Sequence, residues 1–142
     1  MTITKAIHTA MINGRPLRFF KSLNPGPHMP WHSQDDLFKC LGIPKSARTV
    51  FRKMTAEHEE WARQVRIVNT ENGLVTIAPH FMAQGIIGAM AQSEFAAWDE
   101  ELVTNDYTLG ASRAMDVLTD GLAPEESFMY VMDAYHSQSQ AR

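Results

Sequence analysis

Histidines, one cysteine and a run of acids are the residues of this 142-residue chain that catalysis or metal binding would draw on. His28 and His32 stand four apart, the spacing that aligns two metal ligands on a helix. Pro30 lies between them and prevents that helix. No Cys or His pair at zinc-site spacing accompanies them, so both read as loop histidines. Cys40 falls at a predicted helix C-terminus. A reactive thiolate needs a helix N-terminus or a cationic neighbour, so this thiol reads as a small core residue. Gly85 and Gly88 sit in an apolar helical pattern. With no Walker lysine and no preceding strand motif they form no phosphate loop, and they read as permitting close helix packing. Asp99, Glu100 and Glu101 are consecutive and point in different directions on a helix, which suits a solvated face better than a paired acid and base. Trp31, Trp61 and Trp98 read as core residues, with groove lining as the alternative. The expectation is therefore no catalytic residue, no metal and no cofactor. A scattered site around His28, Trp31 and His32 is the enzymatic alternative, and it requires a deep pocket.

The cations are more telling. Residues 1–70 carry 11 Lys+Arg against 5 Asp+Glu, whereas residues 71–142 carry 2 against 11, within a formal net charge of −3. A basic half suits phosphates and an acidic half repels them. The plainer alternative is that the two halves attract each other across the fold. Lys45, Ser46, Arg48, Thr49, Arg52 and Lys53 fall on one predicted helix, where they would supply phosphate and base contacts. Arg63 and Arg66 lie just beyond it, at the entry to a predicted hairpin that would touch the backbone.

The elements that must position these residues are legible from turn and cap chemistry. Residues 5–12 suit a strand, Asn13-Gly14 a two-residue turn with both φ positive, and Arg15 to Lys21 the return strand. Pro16 predicts that the return strand is an edge or begins after the proline. SLNPGPHMP, residues 22–30, is a loop. Ser33 offers an N-cap with Asp36 at capping-box spacing, so Gln34 to Leu41 is a short helix, ended by Gly42 in a left-handed conformation. Ser46 is placed to cap a second helix, about Ala47 to Met54, with Val50, Phe51 and Met54 as its apolar stripe. An acidic turn, Glu57 to Glu60, precedes a second hairpin over residues 64–78. Its bend falls at Asn72-Gly73, with Val65 and Ile67 set against Arg66 and Val68, and Val75 in step with Ile77. Helical stripes follow: Phe81, Gly85, Ile86, Ala89 and Met90; Phe95, Trp98 and Leu102; Ala111, Ala114, Met115 and Leu118, closed by Gly121. A last helix opens at Pro124 with Phe128, Val131, Met132 and Tyr135 on its apolar face. The tail SQSQAR reads as frayed. The fold class is α+β: two β-hairpins with a helix-turn-helix-like pair between them, then a helical C-terminal segment.

The stretch from Ile12 to about Met90 resembles the BRO-type N-terminal domain of baculoviral BRO proteins and phage antirepressor-like proteins. Carrying the resemblance are strands ending near Phe19-Phe20, Pro30-Trp31 leading into Asp35-Asp36-Leu37, the Leu41-Gly42 step, a basic helix, and the strand pair RIVNTENGLVTIAP. It implies DNA binding in phage or mobile-element regulation, and it assigns no residue-level site. The lengthened SLNPGPHMP loop and the segment after Met90 depart from it. The expected division is a DNA-binding domain over 1–92 and a helical segment over 93–142 for self-association or partner binding. The expected partners are DNA and a second copy of the chain. The alternative is a protein-binding antirepressor or inhibitor acting through the acidic half without nucleic acid. One cysteine excludes an intrachain disulfide and fits a reducing compartment. Neither a secretory-signal core in MTITKAIHTAMINGRP nor a membrane span is expected, so the expected location is the cytoplasm.

Overall fold

The computed structural model describes residues 2–140, with side chains to Ser137. Two hairpins open and close a five-stranded antiparallel sheet. β1 (His8–Ile12) and β2 (Arg15–Phe20) form the first, β4 (Arg66–Thr70) and β5 (Gly73–Ala78) the second. A three-residue strand, β3 (Trp31–Ser33), joins them in the order β1-β2-β3-β5-β4. The helices are α1 (Gln34–Cys40), α2 (Lys45–Glu57), α3 (Glu59–Ala62), α4 (His80–Ala91), α5 (Glu100–Leu118) and α6 (Pro124–Gln140). The architecture is the expected α+β arrangement, with β3 and α3 as additions; of the expected helical stripe Phe95, Trp98 and Leu102, only Leu102 is helical, because the chain from 92 to 99 links α4 to α5 without a helix. Among the described residues no helix is long and apolar enough to cross a membrane.

The first turn is as its sequence requires: Asn13 and Gly14 have φ of 52° and 79°. Asn13 also donates its side-chain amide to the Cys40 carbonyl at 2.9 Å. The second turn differs from expectation. Thr70 pairs with Gly73, so the bend residues are Glu71 and Asn72, and only Gly73 takes positive φ, at 108°. Thr70 decides this, because its hydroxyl donates to the Gly73 carbonyl and accepts the Asn72 N–H. The alternation of β4 is also inverted. Val68 faces Val75 in the core, while Ile67 is 70% exposed. Pro16 lies inside β2, which is an inner strand; β3 reaches only Phe19 and Phe20, so no ladder bond is asked of the proline.

α1 takes over the space in the sheet that β3 leaves. Ser33 caps it, accepting the Asp36 N–H at 3.0 Å. The carboxylates of its first turn face opposite ways and satisfy strand N–H groups on either side. Asp36 accepts the Arg18 N–H of β2 at 3.0 Å, and Asp35 accepts the Thr76 N–H of β5 at 2.9 Å. Asp36 thus serves the sheet and also holds the Arg18 guanidinium by two bonds, at 2.8 and 3.0 Å.

One core joins sheet and helices. Ile12, Leu17 and Phe19 pack with Leu37, Phe38 and Leu41 of α1, Ala83, Ile86 and Ile87 of α4, and Val103, Tyr107, Ala111 and Ala114 of α5. A second cluster, Phe20, Trp31, Val75 and Ile77 with Val68, comes from strands alone. The Thr4 N–H bonds the Asn69 carbonyl of β4 at 2.8 Å, although β1, four residues on, is the opposite edge. α6 packs through Ala134, with Val131 and Tyr130, on Met115 and Met29. Ser137 to Gln140 of the expected frayed tail are helical; Ala141 and Arg142 lie outside the described residues.

Candidate nucleic-acid interface

α2 begins earlier and runs longer than expected. Its cap residue is Pro44, with no side-chain bond to the first turn, so Ser46 lies inside the helix and caps nothing. Proline suits this position because its ring fixes φ, here −58°, and it carries no N–H that needs a partner. Among the described residues the first turn of α2 thus has no side-chain cap bond, and no acid lies in that turn. From Leu37 to Ala56 the chain carries five cations and no acid. At 100° per residue, Lys45, Ser46, Arg48, Thr49, Arg52 and Lys53 share roughly 160° of the helix circumference. The expected face is therefore contiguous on one helix.

Its members are not equally free. Lys45 and Lys53 are exposed. Arg52 is bound to Asp35 by a 2.6 Å ion pair, which links α2 to the sheet-satisfying carboxylate of α1. Arg48 is half-buried, and its Nε is buried with no hydrogen-bond partner among the described residues. The Thr49 hydroxyl donates back to the Lys45 carbonyl at 3.1 Å. The expected apolar stripe shifts around the helix. Phe51 does pack, 5.6 Å from the Phe38 ring, and Thr55 is buried, but Val50 and Met54 are 58% and 52% exposed. The buried line is Ala47, Phe51 and Thr55, an i, i+4, i+8 row that places threonine in the interior. Its hydroxyl is accommodated by donating to the Phe51 carbonyl at 2.9 Å.

Arg63 and Arg66 form a separate pair. Arg63 closes α3 beside Glu59, at 3.5 Å, and the Arg66 guanidinium donates to the Arg63 and Val65 carbonyls. The acidic turn is thus partly the helix α3, whose Trp61 ring stacks on His58. None of Arg48, Arg52 and Lys53 bonds to Glu57, Glu59 or Glu60 among the described residues. The second hairpin forms one edge of the sheet.

The remaining chemical candidates separate. His28 sits in the loop, 3.0 Å from the Pro25 carbonyl. His32 is not in a loop: it lies on β3, fully buried, with Nδ1 3.4 Å from the Tyr107 hydroxyl. Burial, reinforced by His80, pushes its pKa down to about 3. A cavity touching His28, Trp31 and His80 holds only about 30 Å³, and His32 does not line it. Cys40 is a core residue; burial, then the Asp36 charge, pushes its thiol up to about 12. Asp99 caps α5, accepting the Leu102 N–H at 3.1 Å, a role the sequence signalled through its position before Glu100-Glu101. Trp31 is core, Trp98 is half-buried and donates to the carbonyl of Leu41, the C-cap of α1, at 3.0 Å, and Trp61 is 40% exposed. Gly85 and Gly88 do not serve close packing, since a Cβ at either would meet nothing within 4 Å. Among the described residues no three metal-ligating side chains converge. No family model matches the chain, and no curated protein or solved structure matches it.

Proposed function

We propose that the protein is a DNA-binding regulator of phage or mobile-element type that presents α2 to the duplex. The observation that carries this reading is the exposed basic face of α2 rising from a first turn without a side-chain cap. Backbone N–H groups and the helix dipole there favour a phosphate, and Lys45 and Ser46 flank it. Lys53 and Thr49 continue the face toward base edges or backbone. α1, joined to α2 through Gly42 at φ 66°, plays the first helix of a helix-turn-helix-like pair. The resemblance of Ile12 to Met90 to the BRO-type domain supports the same reading.

Neutralised phosphates release counterions, so affinity falls with salt at a log–log slope of about −0.9 per phosphate contact. Lys45 and Lys53 are the cleaner probes, because Arg52 also holds Asp35. Changing both, Lys45→Gln with Lys53→Gln, flattens the slope by about 1.8 if each meets a phosphate. The measurement is fluorescence anisotropy on duplex DNA at several salt concentrations, with circular dichroism checking the fold. Absence of binding by the unchanged protein at low salt, or an unchanged slope in the folded double variant, removes the reading.

A second reading rests on α6. Phe128, Met129, Met132 and Tyr135 are all more than half exposed, beside Glu125, Glu126 and Asp133. This face suits protein contact through the acidic half, either with a second copy of the chain or with a basic partner. Light scattering at high micromolar concentration separates the two: a dimer supports self-association, which would also supply two α2 helices for two half-sites.

A further inference from the structure

Asp35 of α1 divides its two oxygens between partners. Oδ2 accepts the Thr76 N–H of β5 at 2.9 Å, and Oδ1 accepts the Arg52 guanidinium of α2 at 2.6 Å. The strand bond fixes the carboxylate, because a part-buried backbone N–H requires its acceptor. α2 itself offers no acid before Glu57, so the charge facing Arg52 comes from α1. Lys45 and Lys53, in contrast, have no ion pair among the described residues. The Arg52 side chain is 55% exposed and that of Asp35 is 23% exposed. Arg52 is thus open to a duplex lying on α2, yet it meets a phosphate as half of a neutral pair. For a phosphate to take the guanidinium, Asp35 must lose its cation and stand beside a second anion, and like charges so placed repel.

We propose that Asp35 is a specificity-determining residue of the DNA-binding face, holding Arg52 out of indiscriminate phosphate contact. This rests on the reading of α2 as the helix presented to the duplex. Phosphate contacts add affinity without regard to sequence. One guanidinium withheld from phosphate lowers the affinity for all duplexes alike. A larger share of the binding is then left to contacts that depend on the bases. Loss of the Asp35 charge makes α2 a tighter and less selective binder.

The test uses the whole protein and a short mixed-sequence duplex, with fluorescence anisotropy at several salt concentrations. Asp35→Asn keeps an oxygen for the Thr76 N–H and removes the charge. It steepens the log–log slope by about 0.9, one phosphate contact, or about eight-fold tighter binding at about 0.1 M salt for a purely electrostatic contact. Adding Arg52→Gln to Asp35→Asn returns the slope to that of the unchanged protein, because the freed guanidinium is the source of the gain. Asp35→Ser is uncharged and offers a hydroxyl to the same N–H. It gives the same steepening and keeps the test valid if the asparagine variant misfolds by circular dichroism. An unmoved slope in the folded Asp35 variants overturns the restraint. So does a double variant whose slope is flatter than that of the unchanged protein by about 0.9, since Arg52 would then already hold a phosphate. The two readings fail separately. No DNA binding by the unchanged protein or by either Asp35 variant overturns both. A slope flattened by Lys45→Gln with Lys53→Gln, but unmoved by loss of the Asp35 charge, overturns the restraint alone.

Discussion

His32 shows what burial does to a residue whose sequence neighbours suggest a loop. Its imidazole is held neutral inside the core, with a folded pKa of about 3 against an ordinary value of 6.5. Between those values the unfolded chain binds a proton that the folded chain refuses. The stability this group contributes is complete above about pH 6.5 and declines as pH falls toward 3. The decline approaches about 1.4 kcal/mol per pH unit. His32→Phe removes it, so urea unfolding at pH 6, 5 and 4 shows a shallower loss in the variant. Equal slopes would mean that His32 is protonated in the fold. Asp36 is the second residue whose role depends on position. It serves the Arg18 N–H and guanidinium together, and this hydrogen bonding raises the pKa of the arginine. Asp36→Ala leaves both part-buried donors without their acceptor and costs about 2–3 kcal/mol. Asp36→Asn keeps an acceptor and costs less. Chemical denaturation of the three proteins gives that order.

At the scale of elements, the glycines of two helices make opposite predictions. α5 crosses the first hairpin so closely that a Cβ on Gly110 would lie 2.8 Å from the Ala10 Cβ and 2.9 Å from the Phe19 ring. Gly110→Ala therefore destabilises by about 1–3 kcal/mol through overpacking, despite the better helix propensity of alanine. Gly85 on α4 has open space where its Cβ would be. Gly85→Ala accordingly stabilises by about 0.5–1 kcal/mol. Thermal melts of the two variants move in opposite directions, and movement in the same direction would mean that α5 does not lie so close to β1. The periodicity of residues 100–118 marks a helix with Ala111, Ala114 and Met115 on one face. It does not show that Gly110 belongs to that face as the point of nearest approach.

For the whole molecule, α5 supplies Val103, Tyr107, Ala111 and Ala114 to the core that β1, β2, α1 and α4 share. A chain ending at residue 92 exposes Phe19, Leu17 and Ile12 on one side. It is expected to lose cooperative unfolding and to show poorly dispersed amide signals. A folded 1–92 fragment, seen as a sharp thermal transition, would show that the sheet and α4 suffice.

What the sequence alone determined is local. The Asn13-Gly14 turn, the Ser33 cap, the left-handed Gly42, the helix opening at Pro124 and the α+β class depend on backbone sterics and on side chains within four residues. The contiguity of Lys45, Arg48, Arg52 and Lys53 is of the same kind, because helical geometry alone groups them. Tertiary structure decided what depends on residues far apart in the chain. β3 exists because Trp31 to Ser33 lie between two hairpins, and three residues have no periodicity to read. Ile67 and Val68 exchanged faces because the pairing register with β5, not alternation, sets which side is buried. Val50 and Met54 stayed in solvent because only one edge of the apolar stripe of α2 meets α1. The ion pair of Arg52 with Asp35 and the burial of Gln34 arise the same way. Each joins residues that local sequence leaves independent, and only the assembled fold decides which of them leave water and which partners they meet there.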